Sequence, residues 1–398
     1  MSNYLGDKSY LALKPQVDAG TPIIPTIHFP LVGENIRVSP NIAADRRMKG
    51  LDWKSDDVTK GARSIEGDFT VFGDPSVLGH VLNMIQAKGA STGSAGDGYT
   101  HPFTPGEGKH YTLEVPRGIY AERYFGVRGD SVELSFDEGR LLAKLMIKAL
   151  GVWNGGSLAA ALTGAGMTEA VLSTAYEVNP NKGLCVGDVL VIGATEVTLT
   201  SVDADGITVG FASTEITASA GDAVYLKAQT PSFGTQLEPF YLPNVRVGFG
   251  ADETAATTAA GAEATATPLN EISIEIKNNL LSANQTGKRG TGALLNQVME
   301  AQIKVKRLFE NPDEWRQWIE GLGKAITIIA SGKPINSDFT TRELLTLKFY
   351  MTKKIDSPNV LAVGGYVMTE QVIESLYDTA TAKSLEITLV NRSAGTVY

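Results

Sequence analysis

One pattern occurs twice in this chain, and a repeated unit with strand periodicity leaves few folds open. In residues 270–322, Ile272, Ile274 and Ile276 alternate with Ser273 and Glu275, the period of a half-buried strand. A polar loop follows, Asn284-Gln285-Thr286-Gly287-Lys288-Arg289-Gly290-Thr291-Gly292, and a second strand is predicted through Ile303 and Val305. Asn311 can then cap a helix, with Pro312 at its first position and Asp313 and Glu314 at the positive end of the dipole. Trp315, Trp318, Ile319 and Leu322 form its apolar stripe. The same order appears upstream. Ile36 and Val38 begin a strand, a polar loop holds Asp45-Arg46-Arg47-Met48-Lys49-Gly50, and Phe69 and Val71 mark the return. Asp74-Pro75 then opens a helix with Val77, Leu78, Val81, Leu82 and Ile85 on one face. The anchor pairs Ile36/Ile272, Pro75/Pro312 and Tyr111/Leu345 lie 236, 237 and 234 residues apart. That drift is what small loop insertions produce, so the pattern reads as a diverged tandem duplication.

At 398 residues the chain exceeds one typical domain. Its 42 glycines imply many turns, which suits a β-rich fold. A formal charge of −9 argues against a protein that wraps nucleic acid in basic grooves, yet lets DNA slide past without sticking. Cys185 is the only cysteine, which excludes an intrachain disulfide and a cysteine-based zinc site. Residues Met1 to Lys8 lack an apolar signal core, and no apolar run approaches the ~20 residues of a membrane helix. The expectation is a chain kept in the cytoplasm until it assembles, with no membrane insertion.

Taken in order, residues 1–35 read as an extended arm that packs on a neighbour, punctuated by Pro15, Pro22, Pro25 and Pro30. The first unit spans 36–152: a long hairpin over 36–72, a helix over 74–86, and a Gly/Ser/Ala-rich mobile surface loop over 87–100. Strands follow at Tyr111–Val115 and Val132–Phe136. Leu141–Leu150 fits either a strand or a helix, and the turn residues Asp137-Glu138-Gly139 favour a strand. Residues 153–240 read as an inserted, independent small β-domain with flexible flanks. The second unit spans 241–398, contains a flexible low-complexity loop over 251–268, and closes on alternating Leu385, Ile387 and Leu389. The fold class is mainly β with flanking helices: two tandem sandwich or barrel units plus the insertion.

Chemistry-bearing motifs are sparse. His101 and His110 flank a loop near Asp97, but their spacing matches no ligand motif, and they read as solvated loop histidines. Asp203-Ala204-Asp205-Gly206 lacks the further ligands of a calcium loop and reads as a hairpin turn. Gly287 to Gly292 has phosphate-loop letters in the wrong order. There is no His-Glu-x-x-His helix. No catalytic, metal or cofactor-binding set is expected. Carboxylates are plentiful and none is singled out, so a glycosidase pair stays open. Trp315 and Trp318 could form a sugar platform, but their helical spacing with Ile319 and Leu322 fits a core or an interface better.

In this order along the chain, the motifs resemble the major tail tube protein of long, non-contractile tailed bacteriophages. The likeness rests on Ala12-Leu13-Lys14-Pro15, Gly20-Thr21-Pro22, Glu66-Gly67-Asp68-Phe69, Asp74-Pro75-Ser76-Val77-Leu78-Gly79-His80-Val81-Leu82 and Leu385-Glu386-Ile387-Thr388-Leu389-Val390-Asn391. It covers roughly 10–150 and 240–398, and the intervening segment resembles the accessory domains that such proteins carry outside the tube. The resemblance implies a structural, non-enzymatic virion protein whose sheets join into rings stacked as a tube. Phage DNA would pass through the lumen without specific binding. The tape measure, tail terminator and distal tail proteins would be its other partners. If each chain supplies two barrels, a six-barrel ring is a homotrimer with pseudo-sixfold symmetry. The cations Arg46, Arg47, Lys49, Lys288 and Arg289 at the two hairpin tips are then candidate ring-to-ring contacts. A different virion protein, such as a baseplate or decoration protein, shares this profile. A carbohydrate-binding protein or hydrolase is favoured only by the paired tryptophans.

Overall fold

A computed structural model describes residues 10–44, 58–173, 183–203, 207–233, 238–284, 290–308, 323–336, 338, 340–356, 359–361, 367–394 and 397–398. The described chain is mainly β, with two α-helices. Tyr10–Pro15 (β1) and Ile27–Pro30 (β2) pair with each other, and β1 also pairs with Tyr111–Arg117. Tyr10, Leu11, Ala12 and Leu13 are all buried. Residues 10–13 of the expected arm are thus packed into the chain's own core. Four consecutive residues with no strongly polar side chain can be buried on both faces of a strand once it has an edge to pair with.

The first half continues with Arg37–Ser39 (β3), Ser64–Phe72 (β4), Pro75–Ile85 (α1), Gly98–Thr104 (β5), Tyr111–Arg117 (β6), Tyr120–Asp137 (β7), Arg140–Lys148 (β8) and Gly151–Trp153 (β9). The β3–β4 hairpin extends outward through Ile42–Ala44 paired with Val58–Lys60. Strand β4 pairs with β8, and β8 with β7. The turn between β7 and β8 has Glu138 at φ 48 and Gly139 at φ 78. Two successive positive φ values give the twist that a two-residue hairpin needs, and this resolves 140–148 as a strand. Ala87–Lys88 and Thr92–Ser94 pair with β5, so part of the expected surface loop is sheet. The predicted helix is present as α1, capped by the Asp74 carboxylate accepting from Ser76 N–H. It is buried on its polar side as well, because the Tyr111 hydroxyl lies 3.2 Å from His80 Nδ1 and accepts from Asn83 Nδ2 at 3.0 Å.

Leu162–Val171 (β10), Val189–Ile192 (β11), Thr195–Val202 (β12), Thr208–Ala218 (β13) and Ala223–Lys227 (β14) pair in the order β10–β13–β12–β11–β14. They enclose a separate core that includes Leu190, Ile192, Val197, Phe211 and Ile216. This segment is not independent of the first half. Ala121 and Trp153 belong to its core, and β14 pairs with β7 at Tyr120 and Ala121.

The remaining elements are Val245–Gly250 (β15), Glu253–Gly261 (α2), Glu271–Lys277 (β16), Glu300–Leu308 (β17), Lys324–Pro334 (β18), Arg342–Asp356 (β19), Val367–Leu376 (β20) and Leu385–Asn391 (β21). Here α2 replaces much of the loop expected over 251–268. Alanine-rich sequence favours helix, Asp252 caps it by accepting from Ala255 N–H, and Ala256 and Ala260 are buried. Its docking needs Gly248, where a Cβ would fall 2.1 Å from the Ala256 carbonyl oxygen. The β16–β17 hairpin extends through Leu281–Asn284 paired with Thr291–Leu295. Strand β17 pairs with β20, β20 with β19, and β19 with β18 and β21. The helix predicted at 311–322, with Trp315 and Trp318, lies outside the described residues.

Among the described residues, two strand pairings join the halves. Residues 131–135 of β7 pair antiparallel with 273–277 of β16, and β21 pairs with β5. Apolar residues from both sides, such as Leu145, Val132, Ile274, Ile303 and Ile373, therefore share one core.

Candidate functional site

The junction between β7 and β16 makes β4, β8, β7, β16, β17, β20 and β19 a run of successively paired strands. Side chains alternate between faces along each strand, so directly opposite residues share a face. One face is core. On the other, a single cross-strand row reads Lys144, Glu133, Glu275, Gln302, Glu374 and Lys353 in direct register. All six are partly or fully exposed. A neighbouring row holds Ser135, Ser273, Lys304 and Val372. At the junction Glu133 faces Glu275. Local partners offset that repulsion: Lys277 Nζ lies 3.1 Å from Glu275, and Ser273 Oγ donates to Glu133 at 3.3 Å. The result is a broad polar surface with carboxylates across its centre and lysines interleaved.

Buried and half-buried polar groups bridge the junction. Asn278 Nδ2 donates to the Ile85 carbonyl at 2.5 Å and to the Gly129 carbonyl at 3.2 Å. Asp130 accepts from Leu280 N–H at 2.6 Å and lies 3.3 Å from Lys148 Nζ. Arg128, fully buried, donates to Glu107, the Leu294 carbonyl and Asn296. A second buried group ties the accessory segment to the first half. Arg123 donates to Asp188 at 2.5 and 2.8 Å and to Glu114 at 2.9 Å, with all three side chains at most 1% exposed. Two carboxylates face one guanidinium, and burial pushes Glu114 up despite the pull of Arg123. Sequence reading missed Arg123, Arg128 and Asn278. Their partners Asp188, Asn296 and Ile85 are 65, 168 and 193 residues away, and no local pattern marks such pairs.

The histidines differ from expectation. His101 is fully buried, with Nδ1 2.8 Å from Ser91 Oγ and Nε2 3.0 Å from Asn391 Oδ1. His110 is half-buried, and burial lowers the pKa of both. His101 is not a solvated loop residue, because it lies in β5 and pairing with β21 closes over it, whereas His110 sits half-buried in the loop before β6. A cleft of about 510 Å³ lies beside α1, lined by His28, Phe29, Val77, His80, Arg140 and Tyr241. His28 is buried there with no partner for either ring nitrogen. Among the described residues no cluster of His, Cys, Asp and Glu could hold a metal ion, and no helix is long and apolar enough to cross a membrane.

Of the residues singled out from sequence as contacts, Arg46, Arg47, Lys49, Lys288 and Arg289 all lie outside the described residues. The roots of both hairpin tips, residues 42–44 with 58–60 and 281–284 with 291–295, are described. Comparison with family models and with curated proteins finds no match for this chain.

Proposed function

We propose that the chain is a tail tube subunit of a long, non-contractile bacteriophage tail. On this reading it carries two tandem tube-type β units and an accessory β segment outside the wall. The observation that carries the reading is the strand pairing of residues 131–135 with 273–277, which makes one continuous sheet from both halves. A tube wall needs such a sheet, with one face packed and the other polar. The polar face, with its central carboxylates, suits a lumen: phosphates are repelled at the centre, and interleaved lysines prevent a field strong enough to stop entry. Two units per chain make three chains a six-unit ring, and rings stack head to tail into an open filament. Tape measure, terminator and distal tail proteins would cap and fill the tube.

The test is negative-stain microscopy of the concentrated protein. Hollow rods whose end views average to threefold symmetry with six similar lobes are expected. Six chains per ring would remove the two-unit reading, and an absence of rods at every concentration would remove the tube.

A further inference from the structure

Ser91 stands in a bulge. Thr92 pairs with Thr100 and Lys88 with Phe103, so three residues, Gly89 to Ser91, face two on β5, His101 and Pro102. A bulge re-aims a side chain, and here Ser91 Oγ lies 2.8 Å from His101 Nδ1 on the neighbouring strand. Glycines two residues to either side allow the close approach. A Cβ on Gly89 would fall 3.0 Å from Pro102 Cγ; Gly93 has φ 116, and a Cβ there would fall 2.2 Å from the Gly98 carbonyl oxygen. Gly89-Ala90-Ser91-Thr92-Gly93 thus has the Gly-x-Ser-x-Gly spacing of a nucleophile turn, built between two strands instead of between a strand and a helix. Ser91 is partly exposed between exposed Ala90 and Thr92, while the His101 ring behind it is fully buried.

The hydrogens of this group can be placed. Asn391 Nδ2 donates to the Pro75 carbonyl at 2.7 Å and to the Tyr398 hydroxyl at 2.6 Å. A carbonyl only accepts, so the amide nitrogen must face Pro75 and the amide oxygen must face His101. That oxygen accepts from Ser393 N–H at 2.9 Å and lies 3.0 Å from His101 Nε2, which therefore carries the ring hydrogen. Nδ1 is then the bare nitrogen, and the Ser91 hydroxyl donates to it. Burial lowers the His101 pKa, which keeps that lone pair free of a proton at neutral pH.

We propose that Ser91 is a nucleophile, with His101 as its base and Asn391 as the group that orients the base, and that it accepts acyl groups from small activated esters. As Oγ bonds to the ester carbonyl carbon, its proton passes to Nδ1; the alcohol leaves with that proton. Water then bonds to the same carbon, gives a proton to Nδ1, and the Oγ–carbon bond breaks as the proton returns to Oγ, releasing the acid. An exposed turn offers few contacts to a large acyl group, which sets the substrate class. A neutral amide stabilises the imidazolium less than a carboxylate does, so acylation should be easier to observe than turnover. The tube reading does not depend on this site.

The test is labelling of the folded chain with a fluorophosphonate, and acylation by p-nitrophenyl acetate, with the modified residue located by peptide mass. A single label at Ser91 is expected, absent from Ser91→Ala and absent from the parent in urea. His101→Gln should slow labelling by about 10²–10⁴-fold; where that variant does not fold, the urea comparison decides. Asn391→Asp would set a carboxylate against Nε2–H and should raise the midpoint of labelling rate against pH, since it favours the imidazolium. Lys88, Tyr99 and Tyr398, the other titratable groups beside the ring, are the same in both proteins. No label on the folded chain, label only at other residues, equal labelling in urea, or a folded His101→Gln at the parent's rate would each overturn the assignment. An unmoved midpoint in Asn391→Asp would show that Asn391 does not orient the base.

Discussion

His80 sits inside α1 with its ring against Tyr398, Phe29 and Tyr111, at centroid distances of 4.7, 5.7 and 5.9 Å. Burial pushes its pKa down to about 3, so it stays neutral in the fold at any ordinary pH. The sign of the pH effect follows. An unfolded histidine takes up a proton near pH 6.5, and the folded one does not. The stabilising difference is complete above about 6.5 and is lost as pH falls toward 3, at about 1.4 kcal/mol per unit. His101 and His110 shift in the same direction and add to the loss. We expect His80→Gln to have a shallower decline in unfolding free energy between pH 6 and pH 4, by close to one proton. Urea titrations at stepped pH would measure it, and parallel slopes for variant and parent would refute it. None of this was readable locally: His101 looks like a loop residue until Asn391, 290 positions away, is placed beside it.

Among elements, the accessory segment has its own core yet leans on the first half through Arg123. Asp188 takes two of that guanidinium's hydrogen bonds and also accepts from Cys185 N–H at 2.7 Å. Removing one member of a buried ion group leaves an uncompensated charge, which costs about 3–5 kcal/mol. Asp188→Ala should therefore lower the unfolding free energy by roughly that amount. The triple variant with Arg123→Met and Glu114→Gln should recover much of it, since no buried charge is then unmatched. Urea midpoints would check both, and a single variant within 1 kcal/mol of the parent would mean that water reaches the site. For the same reason, deleting residues 175–230 alone should destabilise what remains, although the sequence reads as an independent inserted domain. Helix α2 shows how weak a compositional argument can be. The Ala/Thr/Glu run that looked like a flexible loop holds a cap in Asp252, and Lys348 Nζ lies 2.6 Å from Glu253.

At the scale of the whole molecule, a chain of net charge −9 would need local positive charge at its contacts if it stacks on itself as proposed. The two hairpins that carry Arg46, Arg47, Lys49 and Lys288, Arg289 beyond their described roots are the proposed source. An exposed ion pair contributes only about 0–1 kcal/mol, but a stacked polymer repeats each one at every ring. Changing Arg46, Arg47 and Lys49 to Glu should leave a folded protein that forms rings and few long rods. Normal rod lengths in micrographs at moderate salt would show that stacking does not use these cations.

Local patterning carried much of the strand layout. Alternation marked β16, β17 and β21, the Asp137-Glu138-Gly139 turn marked β8, and Asp74-Pro75 marked the start of α1, because each depends on neighbours within a few residues. The two strand hairpins were also visible, since each strand alternates locally and is bounded by polar sequence. The joining of the halves was not. Pairing of Val132 with Ile276, burial of Arg123 beside Asp188, and closure of β21 over His101 link residues far apart in the chain, and any β-branched strand can pair with many others. Which edges meet is decided by the twist of the long strands and by the shared core, and neither is written in a single stretch of residues.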